Sequence, residues 1–125
     1  MNAHQSDSGG DKVIIVEGKT DRERILQILD ERVEILCTNG TVGYERLQEL
    51  ALHWQHDDVY ILVDADEPGM KLRNQLKQEL PNARHLYTRK MYREVAFTPM
   101  SYLAKVLLDA HFEVDERWLH GEETE

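Results

Sequence analysis

The stretch Val13-Ile14-Ile15-Val16-Glu17-Gly18-Lys19-Thr20-Asp21 carries an unbroken apolar, β-branched run into an acid, a glycine and polar residues. The same grammar returns in Tyr60-Ile61-Leu62-Val63-Asp64-Ala65-Asp66-Glu67-Pro68-Gly69. A short run that is apolar on both faces is what a strand inside a covered parallel sheet looks like. An acid at its end therefore falls where strand gives way to loop. In an extended chain residues i and i+2 share a face, so Asp64 and Asp66 are expected to point together as far as that conformation persists. Neighbouring carboxylates repel one another unless a cation or a proton lies between them. Oxygen ligands without a thiolate suit a hard divalent ion, magnesium or manganese rather than zinc.

Outward from these runs the chain alternates. A helix is predicted from Thr20, with Glu23 completing a capping box and Ile25, Leu26, Ile28 and Leu29 on its apolar face. A second strand follows over 33–37, then an Asn39-Gly40 turn and a helix with Tyr44, Leu47, Leu50, Ala51 and Trp54 at helical spacing. A third strand spans 59–63, and Pro68 lies in the first turn of a helix carrying Leu72, Leu76 and Leu80. Pro81-Asn82 stops that helix, a more polar strand over 84–87 belongs near a sheet edge, and Thr98-Pro99 opens a last helix through Met100, Leu103, Val106 and Leu107.

The alternation predicts the α/β class, an open parallel four-stranded sheet with helices on both faces. Residues 1–11 read as a flexible leader, 12–112 as a single domain and 113–125 as an acidic tail. Ligands of such sheets bind outside the carboxyl ends of the strands, near the point where the strand order reverses. Glu17 and Asp64 fall on that rim, as do Thr38 and Asn39.

The formal net charge of -9 argues against a protein that grips nucleic acid by charge alone. Most of the imbalance sits at the end: Asp109, Glu113, Asp115, Glu116, Glu122, Glu123 and Glu125 face only Arg117. Within 84–93, Arg84, Arg89, Lys90 and Arg93 interleave with Tyr87 and Tyr92, a pattern that fits a phosphate backbone and a stacked base as well as it fits a solvated loop. Cys37 is the only cysteine, so no internal disulfide forms, and its apolar neighbours predict a buried thiol. No apolar run approaches the roughly 20 residues of a membrane helix, and the polar start is unlike a signal peptide. The protein is expected to be soluble and cytoplasmic.

Local chemistry offers plain roles beside the functional ones. Asp66 makes a good helix N-cap, and Asp21 and Glu67 read as helix-start acids. Gly18 and Gly69 allow close approach to a phosphate or simply serve turns. Glu94 is placed near the metal rim only by its nearness to the basic stretch. Trp118 and Leu119 either form an exposed self-association surface, which would make a homodimer, or fold back on the body.

With both acidic motifs in order on the right strands, residues 12–108 resemble the Toprim family, the metal-binding module shared by topoisomerases, primases and small nucleases. Its stretch 64–73 is most similar to ribonuclease M-five, the nuclease that matures 5S ribosomal RNA. The resemblance implies that Asp64 and Asp66 bind magnesium and that Glu17 helps to hold it and acts as general acid or base. Lys19, two residues beyond Glu17, would reach a phosphate oxygen. Gly18, Thr38, Asn39, Gly69, Arg89, Lys90 and Arg93 would line the path of the nucleic acid. The implied activity is magnesium-dependent phosphodiester cleavage, as by an endoribonuclease, with RNA ahead of DNA as substrate. Two other readings fit the same residues: a non-catalytic module that binds metal and nucleic acid or a protein partner supplying the substrate, and a phosphotransferase in which Asp64 is phosphorylated and Asp66 moves protons.

Overall fold

The apolar runs become strands in the order the alternation requires. The computed structural model describes residues 11–40, 42–88 and 94–120. Its elements are β1 (Lys12–Val16), α1 (Lys19–Ile28), β2 (Glu34–Cys37), α2 (Tyr44–His53), β3 (Asp58–Ile61), α3 (Glu67–Glu79), β4 (Arg84–His85) and α4 (Met100–Asp109). Short 3-10 turns occupy Val95–Phe97 and Glu116–His120. Among the described residues no helix is long and apolar enough to cross a membrane.

The four strands are parallel, in the order β2-β1-β3-β4. β1 lies inside the sheet and Val13 to Val16 are fully buried, which is why this run shows no alternation. Ile14 and Val16 pack with Ile25 and Ile28 of α1 and Leu103 and Leu107 of α4. Val13 and Ile15 pack with Leu47 of α2 and Leu72 and Leu76 of α3, together with Trp54 just beyond α2. Each such side chain contributes about 1.5–3 kcal/mol by leaving water.

The first crossover places β2 on one side of β1 and the next carries the chain over β1 to β3 on the other. The reversal therefore lies between β1 and β3, and Leu62 N–H bonds Ile15 O at 2.9 Å to extend their ladder toward it. Glu17 and Asp64 leave the sheet on either side of this gap.

Several boundaries differ from the sequence expectation. α1 starts at Lys19, not Thr20, with extended Gly18 as its N-cap, and Asp21 rather than Glu23 reaches back, Oδ2 accepting from Gly18 N–H at 3.1 Å. Asp21 is consequently buried. Cys37 is half-buried, its thiol donating to Gly18 O at 3.4 Å. Trp118 folds back instead of standing exposed: only 8% of it is accessible, and its indole N–H donates to Gln27 O at 3.3 Å. Val114 pairs with Leu29 in an isolated antiparallel bridge, flanked by Asp30 N–H to Glu113 O and Asp115 N–H to Ile28 O, both 2.8 Å. Burying Val114 and Trp118 against α1 is favoured over leaving them in water, so this segment folds back on the body.

Candidate functional site

Glu17 is the first residue beyond β1 and is tied on both sides. Its side-chain Oε1 accepts from Asp64 N–H at 2.8 Å. Its backbone carbonyl accepts from Asn39 N–H at 2.7 Å, one step after Thr38 N–H meets Val16 O at 2.9 Å. Asn39 (φ 56°) and Gly40 (φ 110°) then adopt left-handed conformations that turn the chain off the rim. Thr38 Oγ1 is buried with no hydrogen-bond partner among the described residues.

Asp64 Oδ1 accepts from Val95 N–H at 2.8 Å, so the 3-10 turn before α4 is docked on the end of β3. Arg24 holds the far side of that turn, donating to Val95 O at 2.9 Å and Ala96 O at 2.6 Å. Asp66 is the N-cap of α3, Oδ1 accepting from Gly69 N–H at 2.9 Å, and Pro68 follows in the first turn as expected. A Cβ on Gly69 would overlap Asp64 O and lie 2.8 Å from its carbonyl carbon. Gly69 therefore permits close approach to the backbone of Asp64. Gly18 needs no such allowance, since its Cβ would meet Asp21 Oδ2 at an ordinary 3.6 Å. Lys19 is exposed at the start of α1. Arg89, Lys90 and Arg93 lie outside the described residues.

The rim is electrostatically strained. Burial raises the Glu17 pKa above its ordinary value; the Asp64 N–H opposes the shift, and the charges of Asp64 and Asp66 add to it. Burial raises Asp21 too, against the Gly18 N–H, with Asp64 and Glu94 contributing repulsion and Arg24 partly offsetting it. Glu94 is thus near the acidic rim. The described ion pairs, Lys12–Glu31 at 3.2 Å and Arg117–Asp115 at 3.1 Å, lie elsewhere.

Glu17, Asp64 and Asp66 each give one oxygen to a backbone N–H, which orients the carboxylate and leaves its second oxygen. Such an all-oxygen, mutually repelling set fits a hard divalent cation. Among the described residues no group of three or more His, Cys, Asp or Glu side chains is placed to hold a metal ion without rearrangement.

Beside the rim, Arg73 of α3 is buried at 3% exposure. It donates to Leu86 O at 3.0 Å, meets His85 Nδ1 at 2.9 Å, and lies 4.3 Å from the centroid of the Tyr87 ring. Burial lowers its pKa, while Tyr87 and then Glu17 oppose the shift. The position of Arg73, the N–H of Val95 and the nearness of Asp21 were not visible in the sequence. Only Asp21 had a signal, its place three residues after Gly18.

Comparison with known proteins agrees with this geometry. The family model described as Toprim domain matches residues 12–98. YusF, an uncharacterized protein of Bacillus subtilis (strain 168), is 53% identical over 104 residues, covering 83% of this chain and 71% of that protein. Ribonuclease M5 of Mycoplasma genitalium is 36% identical over 78 residues, covering 62% of this chain and 43% of the relative, and the Bacillus anthracis ribonuclease M5 is 30% identical over 80 residues, covering 63% and 42%. The match thus spans less than half of these ribonucleases' length. The solved structure of a small TOPRIM domain protein from Bacillus stearothermophilus superposes with a TM-score of 0.85 at 50% identity, covering 87% of this chain and 92% of that one. With the doubly covered sheet and the acids after β1 and β3, the profile match identifies the chain as a member of the Toprim family.

Proposed function

We propose that this protein is a magnesium- or manganese-dependent, phosphodiester-cleaving enzyme of the cytoplasm that processes nucleic acid, RNA ahead of DNA. The observation that carries the reading is Glu17 bonded to the backbone of Asp64 at 2.8 Å across the strand-order reversal, with Asp66 two residues on. The preference for RNA rests on the ribonuclease M5 relatives. The chemistry a bound ion supplies is Lewis acidity toward a phosphoryl oxygen and neutralisation of charge on the leaving oxygen.

Asp64 and Asp66 hold the ion, each oriented by its backbone hydrogen bond. Glu17 would help to hold it or act as the proton-transfer group beside it. Lys19 neutralises a phosphate oxygen at the entrance to α1. The Thr38 hydroxyl, Asn39 and Gly18 line the phosphate path.

The test is incubation of labelled structured RNA, single-stranded DNA and duplex DNA with each ion, comparing wild type with Asp64→Asn. Metal-dependent cleavage that disappears in the variant supports the reading and names the substrate class. No cleavage by intact, folded wild type moves the assignment to a binding module that works with a partner protein.

A further inference from the structure

We propose that Tyr87, with Tyr44 and Phe97, stacks unpaired bases of the strand whose phosphate enters the acidic rim, so that the substrate is single-stranded at the point of chemistry. The inference rests on the function proposed above and adds the form of nucleic acid the site takes.

Among the described residues the large, exposed aromatic rings are Tyr44 (62%), Tyr87 (58%) and Phe97 (70%); Tyr60, Phe112, Trp54 and Trp118 are buried. All three exposed rings belong to the carboxyl edge of the sheet. Tyr44 opens α2, which begins on that edge after β2, and its hydroxyl accepts from Gln48 Nε2 at 2.7 Å. Phe97 ends the turn whose Val95 N–H binds Asp64. Tyr87 lies just past β4: His85 is in register with Ile61 and Leu86 N–H bonds Ile61 O at 2.8 Å, so the chain emerges beside the end of β3.

Tyr87 is also held. The Arg73 guanidinium sits 4.3 Å from its ring centroid, and His85 stacks alongside at 6.4 Å with 26° between the planes. Arg73 is fixed in turn by His85 Nδ1 and Leu86 O. An exposed ring with a cation on it, immobilised from within the fold, is a pre-organised stacking platform, and stacking needs no base identity. The chain's negative charge makes this the fitting source of affinity. A phosphate-gripping protein relies on lysine and arginine, whereas stacking works beside an acidic surface.

The experiment is fluorescence anisotropy with a labelled 12-nucleotide single-stranded RNA of mixed sequence, its duplex, and a version with abasic sites at its centre. Calcium replaces magnesium so that binding is read without cleavage. Tyr87→Ala is expected to bind the single strand about fivefold or more weakly, Tyr87→Phe within about twofold of wild type, and the abasic strand to bind wild type and Tyr87→Ala alike. Wild-type affinity should fall by less than about tenfold between 50 and 200 mM salt, far short of the loss shown by charge-driven binders. The exposed position of Tyr87 keeps the variants folded, which their melting temperatures verify.

Unchanged affinity of Tyr87→Ala, preference for the duplex, or failure of wild type to bind the strand overturns the proposal; capture of a protein in place of the strand does so as well. Stacking-dependent binding with no cleavage in magnesium would instead leave this inference standing and remove the nuclease.

Discussion

Glu17 Oε1 and the backbone N–H of Asp64 meet at 2.8 Å although the residues are 47 positions apart. The bond fixes the gap at which the strand order reverses, yet it places a half-buried carboxylate beside two others. A carboxyl whose folded pKa lies above its ordinary value of 4.5 binds its proton more tightly in the native state, so stability falls as pH rises through the folded pKa. Glu17→Gln keeps an acceptor for Asp64 N–H and removes the charge. Melting of the metal-free protein at pH 7.5 should rise, by a gain that shrinks as pH approaches 4.5. If the proposed ion binds here, added magnesium should stabilise Glu17→Gln less than wild type.

Gly69→Ala tests the close approach between α3 and Asp64. Its Cβ would overlap Asp64 O, so either α3 or the Asp64 backbone must shift, at about 1–3 kcal/mol. Gly18→Ala, whose Cβ meets Asp21 Oδ2 at 3.6 Å, should change stability by less than about 0.5 kcal/mol. Urea denaturation of the two variants separates them.

Arg73→Met keeps the bulk of the side chain and loses the donors to Leu86 O and His85 Nδ1. A buried carbonyl left without its donor predicts a loss of about 1–3 kcal/mol. Arg73→Lys, with a single ammonium in place of a fork, should restore only part of it. Chemical denaturation of both variants gives the comparison.

His85 gives the fold a pH dependence of opposite sign to that of Glu17. Burial, then the charges of Arg73 and Lys77, lower its pKa from the ordinary 6.5. The unfolded chain then binds protons more readily between the folded value and 6.5, so stability is full above 6.5 and declines as pH falls through that window. His85→Gln should flatten this segment of the curve of melting temperature against pH relative to wild type.

Trp118→Ala is expected to cost about 3–5 kcal/mol, the range for emptying a large buried aromatic site. Thermal unfolding measures it. A surface indole would give a change near zero.

The order of elements was legible because Val13 to Val16 and Tyr60 to Val63 are apolar on both faces, which only a doubly covered sheet accommodates. The edges of elements were less so. β3 ends at Ile61, whereas the apolar run continues through Leu62 and Val63, which stay buried after regular pairing with the two-residue β4 has stopped. The acids could be picked out because a carboxylate ending such a run has few structural uses. Their anchors could not. Val95 serves Asp64 through a backbone N–H, which every residue but proline carries, from 31 positions away. Arg73 reads as one more charge on a helix until the carbonyl of Leu86 and the ring of His85 are brought beneath it.

The bridge between Leu29 and Val114, and the indole of Trp118 on Gln27 O, join the first helix to residues made 85 and 91 positions later. During synthesis at about 5–20 residues per second, α1 lacks the part of its cover that Val114 and Trp118 supply for several seconds after the helix has left the ribosome. Contacts this distant in the chain are also slow to close. The nascent protein thus depends on Val114 and Trp118 to finish the layer that α1 begins, and a ribosome stalled before Val114 would present that layer incomplete to chaperones and proteases.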